Sequence, residues 1–388
     1  MEHHRKRKVM ILGCTGSIGT TALKALQTYA NDFTIAALHA HTSIRELAAI
    51  SHQWNCRTVC ISQEESTACD ELFPEGTTIY RGRKGLLQMI SDTEADVVLN
   101  GISGASGLEP TFSAIDSGKD IALSNKESIV MAGKLLFAHA QQHQVRILPV
   151  DSEHSTLSAL IDAHGLSSVS SLVLTASGGP FRTLKRDELQ HITVDMAVAH
   201  PNWSMGAKIS IDSATLANKG LEVIEAYHLF GFSRDAIEVV IHPQSIVHSL
   251  IRLHNGAVYA QMTPPDIALP IMSALAERGY ALRQVVQPLD FTNLTLQFES
   301  PDYQRFPLLK AAFETLERQG SYAIAYNAAN EIAVSHFMRQ QLRFDQIAPL
   351  VLHTLEQDWT TSCTSLDEII AIDHRVRLEA ERIARDMN

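Results

Sequence analysis

The first thirty residues contain the pattern that most restricts the fold of this chain. Lys8-Val-Met-Ile-Leu12 has the length and composition of a buried strand, and Gly13-Cys-Thr-Gly-Ser-Ile-Gly19 follows it directly. A helix with apolar residues at Ala22, Leu23 and Leu26 comes next. Strand, glycine turn and helix form a dinucleotide fingerprint, in which the backbone approaches a pyrophosphate at the helix N-terminus. The alternative is a glycine-rich turn that binds no ligand.

Short apolar runs alternate with helical segments as far as residue 150. We predict strands over 33–38, 57–61, 95–100, 120–123 and 145–150, and helices over 84–90 and 110–117. Such alternation is typical of a parallel, doubly wound sheet. The predicted fold class is α/β, with an N-terminal doubly wound Rossmann-like domain (1–150), a central α+β domain (151–284), a connector (285–305) and a C-terminal helical bundle (306–388).

Later segments carry their own secondary-structure signals. We predict strands over 169–175, 239–251 and 257–262, and Asn255-Gly256 as a hairpin turn before the last of them. Residues 184–198 and 267–278 have a helical pattern. Four further helices are predicted in the C-terminal region, over 308–318, 323–339, 344–359 and 365–387.

Composition excludes several classes of function. The net charge of −11 disfavours a general role in binding nucleic acid or an anionic membrane. No stretch of the 388 residues is long and apolar enough to span a bilayer, and the basic N-terminus lacks the features of a signal or transit peptide. Five cysteines, an odd number without a C-x-x-C pair, predict reduced thiols. We therefore expect a protein of the bacterial cytosol.

Asp151-Ser152-Glu153 lies between a predicted strand and a predicted helix. Two carboxylates at i and i+2 at the end of a strand can point to one side, at the edge where open α/β sheets bind ligands. Hard oxygen ligands favour Mg²⁺ or Mn²⁺ over zinc. The alternative interpretation is that Asp151 or Ser152 caps the helix and Glu153 adds favourable charge to its first turn.

The segment 212–225 combines a carboxylate, an amide, a lysine and a hydroxyl. Asn218 and Glu222 are four residues apart and share a helix face, Lys219 is adjacent, and Ser213 lies at the predicted helix start. This set suits a phosphorylated polyol together with a metal, although a solvated helix face has the same composition.

Two other segments leave alternatives open. Trp203 and Met205 lie in the run 200–208 without a periodic pattern that would bury them, so they belong either to the core of an irregular loop or to a lid over a substrate. Lys126 is either a surface lysine or a residue that reaches cofactor and substrate together.

The end of the second strand bears on the choice of cofactor. It reads His39-Ala-His-Thr-Ser43, without the acid that usually binds the ribose of NAD. This favours NADP, with Thr42, Ser43 and Arg45 as candidate contacts for the 2′-phosphate.

At the level of whole motifs the chain closely resembles the 1-deoxy-D-xylulose 5-phosphate reductoisomerase family. The matching runs occur in family order across all predicted regions. They are Gly13 to Gly19, Ala122-Leu-Ser-Asn-Lys-Glu-Ser128, Val150-Asp-Ser-Glu-His-Ser155, Ala176-Ser-Gly-Gly-Pro-Phe181, His200-Pro-Asn-Trp-Ser-Met-Gly206, Asp212 to Ala226, His242-Pro-Gln-Ser-Ile-Val-His-Ser249 and Asn327-Ala-Ala-Asn-Glu331.

The resemblance implies an NADPH-dependent homodimer that uses one Mg²⁺ or Mn²⁺. The domain 1–150 would then bind NADPH, and 151–284 would carry the metal site and a lid over about 200–208. The residues that match family metal ligands are Asp151, Glu153 and Glu222. Those that match substrate contacts are Lys126, Ser152, Glu153, Ser177, His200, Trp203, Ser213, Asn218, Lys219 and Glu222, of which Lys126, Asp151, Glu153 and Glu222 are the catalytic candidates. Those that match cofactor contacts are Thr15, Gly16, Ser17, Ile18, Asn125, Glu127 and Gly206.

The implied reaction converts 1-deoxy-D-xylulose 5-phosphate to 2-C-methyl-D-erythritol 4-phosphate, by metal-assisted isomerisation followed by reduction. Two departures concern the cofactor side: His41-Thr42-Ser43 replaces the usual glycine, basic residue and asparagine, and Ile267 replaces the usual methionine. The alternatives from other classes are a metal-independent NADP dehydrogenase of a small aldehyde or hydroxy acid, and a dinucleotide-sensing module without activity.

Overall fold

The computed structural model describes residues 5–63, 70–199, 201–203 and 205–387. Packing divides the chain into two compact units. The first comprises Met1–Ser128, Leu136–Ser155 and Ile267–Val286, and the second comprises Ile129–Leu135, Thr156–Asp266 and Gln287–Asn388. In chain order the elements are β1 (Arg7–Leu12), α1 (Ser17–Thr28), β2 (Phe33–Ala40), α2 (Ile44–Trp54), β3 (Thr58–Ile61), β4 (Thr78–Arg81), α3 (Gly82–Asp92), β5 (Val97–Asn100), α4 (Leu108–Asp116), β6 (Asp120–Leu123), α5 (Lys126–His143), β7 (Ile147–Pro149), α6 (Ser152–His164), β8 (Val169–Ala176), α7 (Val194–Val198), α8 (Ala207–Ala214), α9 (Ala217–Phe230), β9 (Ile237–Ile241), β10 (Val247–Leu253), β11 (Val258–Met262), α10 (Ala268–Leu275), α11 (Pro307–Arg318), α12 (Tyr322–Met338), α13 (Phe344–Leu355) and α14 (Leu366–Asp386).

The first unit is built on a seven-stranded parallel sheet in the order β4-β3-β2-β1-β5-β6-β7. Its central strands are uninterrupted apolar runs because helices cover both faces, and Val9 to Leu12 are completely buried. The strand order reverses beside β1, which is where doubly wound sheets bind ligands. The predicted doubly wound fold is confirmed. Sequence analysis missed β4 and the long helix α5.

The second unit contains a four-stranded mixed sheet in the order β11-β10-β8-β9. The predicted hairpin at Asn255-Gly256 joins β10 to β11, and Gly256 has a φ of +88°, which the turn requires. Two helix predictions were wrong in detail. Residues 184–198 form a 3₁₀ turn at Arg186–His191 and the short α7, because Ile192 and Thr193 are extended between them.

The segment 212–225 is also not one continuous helix. Leu216 has a φ of +60° and separates α8 from α9. Ser213 therefore lies in the last turn of α8, whereas sequence analysis placed it at a helix start.

The four helices α11 to α14 occur where the sequence predicted a C-terminal bundle, and they support the site helices of the second unit. Asn330 Nδ2 on α12 donates a hydrogen bond to the buried Oδ1 of Asp212, at 2.8 Å. A Cβ at Gly220 would lie only 2.4 Å from the Tyr326 hydroxyl on α12. Glycine at this position therefore lets α9 pack directly against α12. The functional division with bounds at 150, 284 and 305 stays a prediction, since packing groups 267–286 with the first unit.

Two sequence expectations concern the whole described chain. No described helix combines the length and the apolar character needed to cross a membrane. The four described cysteines are free thiols, and burial raises the pKa of Cys14 and Cys60 to about 12. Cys69 lies outside the described residues.

Candidate active site

The glycine turn after β1 has a geometry that side chains would obstruct. Gly13 has a φ of +79°, and a Cβ at Gly19 would lie 2.4 Å from the Gly13 carbonyl oxygen. Gly16 and Ser17 are exposed at the start of α1, while Thr15 and Ile18 are half-buried. No described side chain caps this helix start, so its amide groups face outward in the way an anion requires.

His39, at the end of β2, holds this turn in place. Its Nδ1 accepts a hydrogen bond from the Gly13 amide at 3.1 Å, and its Nε2 lies 2.9 Å from the Ser62 hydroxyl. Burial, together with the neighbouring His41, lowers the pKa of His39 to about 4. The ring is therefore neutral, with its proton on Nε2. Sequence analysis noted His39 only as part of a strand end without an acid.

The start of α5 presents the three polar residues predicted beside cofactor and substrate. The Asn125 side chain is committed to the protein: its Nδ2 donates to the carbonyls of Ile102 and Gly104 at 2.8 and 2.9 Å, and its Oδ1 caps α5 at the Ser128 amide. Asn125 Nδ2 also lies 2.9 Å from an oxygen of Glu127. Any contact of Asn125 with a cofactor is therefore left to its backbone.

Lys126 is buried at 6% exposure, and its ammonium pairs with the Asp151 carboxylate. The surface-lysine alternative is therefore wrong. The same Asp151 accepts a hydrogen bond from the Glu153 amide at 3.2 Å, so the capping interpretation is correct as well. Ser152 donates to Glu153 at 2.6 Å, and the fully buried His154 has Nδ1 at 3.4 Å from Asp151. Sequence analysis did not single out His154.

In the second unit, the first two turns of α9 hold a buried polar network. Lys219 and Glu222 are 4% and 1% exposed and form an ion pair, and Asn218 donates to the same carboxylate. This burial excludes the solvated-face alternative. The Oδ1 of Asn218 is buried and has no hydrogen-bond partner among the described residues, which leaves one acceptor unused beside the lysine.

Two further hydroxyls lie on segments that approach each other closely. Ser177 follows β8 and accepts a hydrogen bond from the Gly179 amide at 3.2 Å. Gly179 has a φ of +71°, and a Cβ there would lie 2.8 Å from the carbonyl oxygen of Ser213. Glycine at 179 therefore allows the loop after β8 to contact the end of α8.

The predicted lid is described at 201–203 and 205–208, and His200 lies outside the described residues. Asn202 donates to the Pro243 carbonyl and the Ser245 hydroxyl at 2.7 and 3.0 Å. The Trp203 ring packs edge-on against His248, with the ring centroids 5.9 Å apart. Lys208 forms an ion pair with Asp212 at 2.9 Å, and Gly206 is exposed at the start of α8. Asn202 thus anchors the first part of the loop, and α8 follows directly after Gly206.

A parallel sheet that reverses at β1, with a glycine turn there, defines the dinucleotide-binding class of α/β proteins. Family models agree along most of the chain. Residues 9–133 match the model described as 1-deoxy-D-xylulose 5-phosphate reductoisomerase, residues 147–230 match its C-terminal domain, and residues 262–379 match the DXP reductoisomerase C-terminal domain.

Individual relatives match over nearly their whole length. The 1-deoxy-D-xylulose 5-phosphate reductoisomerase of Treponema pallidum (strain Nichols) is 42% identical, with 96% of each chain covered. The Zymomonas mobilis enzyme in complex with NADPH is 37% identical with a TM-score of 0.90, over 98% of this chain and 99% of that one. A DOX-P reductoisomerase bound to NADPH, fosmidomycin and magnesium is 37% identical with a TM-score of 0.89, over 98% of both chains. The chain belongs to the 1-deoxy-D-xylulose 5-phosphate reductoisomerase family.

Proposed function

We propose that this protein converts 1-deoxy-D-xylulose 5-phosphate to 2-C-methyl-D-erythritol 4-phosphate, by skeletal isomerisation followed by reduction with NADPH. The observation that carries the proposal is the 42% identity to a reductoisomerase over nearly the full chain. The side chains support it, because a dinucleotide turn, a carboxylate pair beside a buried lysine and a buried Lys–Asn–Glu network occur in the motifs that resemble the family.

NADPH binds to the first unit in this proposal. Its pyrophosphate rests at the start of α1, beside the exposed residues Gly16 and Ser17, and Thr15, Ile18, Asn125, Glu127 and Gly206 complete the cofactor contacts. Thr42 and Arg45 are exposed beyond β2 and Ser43 is half-buried there, so their hydroxyls and guanidinium are available to a 2′-phosphate. NADPH supplies the hydride of the reduction step.

Asp151, Glu153 and Glu222 hold one Mg²⁺ or Mn²⁺ in this proposal. The donor set fits, because carboxylate oxygens are the ligands these hard cations prefer. The bound cation supplies Lewis-acid polarisation of substrate oxygens. The chain's own residues set the charge balance: Lys126 pairs with Asp151, and Lys219 pairs with Glu222. Ser152 donates to Glu153 and so orients that carboxylate.

The substrate phosphate binds to Ser177, Ser213, Asn218 and Lys219, whose donors suit a dianion. His200 and Ser152 are further substrate contacts carried over from the family resemblance. Trp203 covers the substrate when the lid closes and excludes water from the reacting atoms.

One assay tests the proposed function against both alternatives. NADPH absorbance is followed with 1-deoxy-D-xylulose 5-phosphate, first with Mg²⁺ and then with excess chelator. We expect turnover that stops with chelator and returns when Mg²⁺ is added back. Turnover that resists the chelator would indicate a metal-independent dehydrogenase, and NADPH binding without turnover would indicate a sensing module.

Lys219 tests the phosphate contact separately. Lys219→Ala removes the ammonium that pairs with Glu222. We expect the KM for substrate to rise by about 100-fold or more, because a charge-assisted contact with the phosphate is lost. NADPH affinity should change little. The matched control is Lys310→Ala, which removes an exposed lysine paired with Glu314 on α11. An unchanged substrate KM in Lys219→Ala would remove this residue from the phosphate site.

The protein acts as a homodimer in the bacterial cytoplasm in this proposal. The open edge strand β11 carries exposed Val258 and Tyr259, and the connector of the same unit exposes Phe291, Leu296 and Phe298. A second copy of the chain that covers β11 would remove the unpaired strand edge, with Val258 and Tyr259, from water. The cytoplasmic assignment is supported by the buried free thiols and by relatives from bacteria.

A further inference from the structure

Three potential metal ligands converge on the surface of the first unit, away from the carboxylate site. Asp116 is the last residue of α4, and His139 and His143 lie in the last two turns of α5, four residues apart on one face. One ligand atom from each residue lies within 4.8 Å of the other two. Lys126 begins the same helix thirteen residues before His139, which corresponds to about 20 Å along the helix axis.

The two imidazoles lie at different distances from the shared carboxylate. Asp116 Oδ1 is 2.6 Å from His139 Nε2, which is a hydrogen bond, but 3.8 Å from His143 Nε2, which is too long for one. The two imidazole rings nevertheless lie with their centroids 4.6 Å apart, beside the same carboxylate. A hydrogen bond accounts for the position of His139 alone, whereas a shared cation accounts for the approach of both rings to one carboxylate.

The chemistry of the donors selects the cation. Two imidazoles and one carboxylate form a three-ligand set that zinc adopts with water in the fourth position. With metal–ligand bonds of about 2.1 Å, tetrahedral ligands lie about 3.4 Å apart. The two observed carboxylate–imidazole distances, 2.6 and 3.8 Å, lie on either side of that value, so small side-chain shifts bring both imidazoles to a shared ion. Magnesium prefers an all-oxygen set and does not compete well for imidazole.

The surroundings of the three side chains let an ion enter from solvent and restrict the rotation of one imidazole ring. The side chains of His139, His143 and Asp116 are 25%, 31% and 57% exposed, so an ion and its water can enter from solvent. On the other side, the buried Phe112 of α4 packs against the His139 ring at 5.3 Å and restricts its rotation. We propose that Asp116, His139 and His143 bind a divalent cation of the zinc class, which joins the ends of α4 and α5 and stabilises the first unit without taking part in the reaction.

Zinc titration of the full chain tests the proposal. Saturating Mg²⁺ is present throughout, and His3 and His4 are replaced by glutamine in every protein so that the N-terminal histidine pair adds no site. We expect one tight zinc ion per chain, a zinc-dependent rise in Tm, and zinc affinity that falls on the order of 100-fold in His139→Gln/His143→Gln. Asp116→Asn keeps a hydrogen-bond acceptor for His139 but removes the negative charge of the ligand. It should lower the affinity for zinc by about tenfold.

The matched control is His353→Gln, which changes an exposed histidine in the last turn of α13. It should leave zinc affinity and the Tm shift unchanged. NADPH turnover with Mg²⁺ should be the same in all of these proteins. The proposal is overturned if the double variant binds zinc within about threefold of its parent, or if the parent binds no zinc in the presence of Mg²⁺.

Discussion

Buried lysines paired with carboxylates are the main feature of the candidate site at the level of single side chains. Lys126 with Asp151 in the first unit and Lys219 with Glu222 in the second are all at most 15% exposed. A buried charge without a partner is costly, so removing either member of such a pair destabilises the protein more than removing both. The same pairs hold the carboxylates in position for a cation.

Asp151→Asn separates the metal function of this residue from its structural one. Asparagine keeps the cap on the Glu153 amide but leaves Lys126 without that counter-charge. We expect turnover and Mg²⁺ affinity to fall by about 100-fold or more, NADPH affinity to stay unchanged, and the free energy of unfolding to fall by about 1–3 kcal/mol.

Asp290→Asn is the matched control for this substitution, because Asp290 makes the same i to i+2 contact, with the Thr292 amide at 2.8 Å, in an exposed loop. Its turnover should equal that of the wild type. Near-normal turnover of Asp151→Asn at low Mg²⁺ would show that Asp151 is a helix cap alone.

His39 should make the stability of the first unit sensitive to acid. Its pKa is lowered from 6.5 to about 4 in the folded state, so below pH 6.5 the unfolded chain takes up a proton that the folded chain does not. Stability is therefore complete above pH 6.5 and is lost as the pH falls towards 4, with a contribution of about 2 kcal/mol between pH 7 and pH 5.

Denaturant unfolding at the two pH values measures this effect. His39→Gln, which keeps a neutral hydrogen-bonding side chain, should lose this part of the pH dependence. His41→Gln changes the exposed neighbour and should retain it. Equal pH dependence in the wild type and His39→Gln would exclude His39 as its source.

Helices and the loops between elements both carry the site. The loop after β8 and the helix pair α8 and α9 position the hydroxyls and Lys219. In the segment 201–208, Asn202 is hydrogen-bonded, Gly206 is exposed and α8 follows. This arrangement favours a loop that closes between an anchored start and a helix.

Closure should be visible in the fluorescence of Trp203. We expect a change when fosmidomycin binds in the presence of Mg²⁺, together with slower proteolysis between residues 200 and 208, because the indole moves from its present contact with His248. Trp203→Phe should abolish the fluorescence change, because the remaining Trp54 and Trp359 are not in the segment 200–208. Trp359 is buried, with its indole N–H bonded to the Thr354 carbonyl at 2.7 Å. Cleavage at equal rates with and without ligand would rule out a lid.

The molecule as a whole has an edge that a single chain leaves uncovered. β11 pairs only with β10 in the described sheet, and its Val258 and Tyr259 are exposed. An open, apolar edge strand favours association with a second copy.

A charge in this edge should disrupt the dimer. Val258→Asp introduces a carboxylate at a position that is 51% exposed in a single copy of the chain. We expect this variant to be a monomer by light scattering coupled to gel filtration. Leu378→Asp, at a 58% exposed position on α14, is the matched control and should remain dimeric. A Val258→Asp protein that elutes as a dimer would place the interface elsewhere.

Local sequence signals were sufficient for many of the elements and for the motifs that resemble the family. The apolar runs of β1, β2, β5 and β6, the hairpin at Asn255-Gly256 and the four C-terminal helices follow from periodicity and turn residues, which are short-range properties. The glycine motif and Asp151-Ser152-Glu153 were likewise readable, because spacing within a few residues determines which side chains share a face.

Only the tertiary structure could decide how these side chains are used. The setting of each side chain depends on atoms from distant segments. Lys126 pairs with Asp151, His39 contacts Ser62, and Asn125 donates to the carbonyls of Ile102 and Gly104. The burial of Lys219 likewise depends on the packing of the folded chain. The break at Leu216 was also hidden, since leucine prefers to continue a helix and takes a φ of +60° only where packing compensates. Burial and long-range pairing are properties of the folded chain, and they are set by contacts that no local pattern contains.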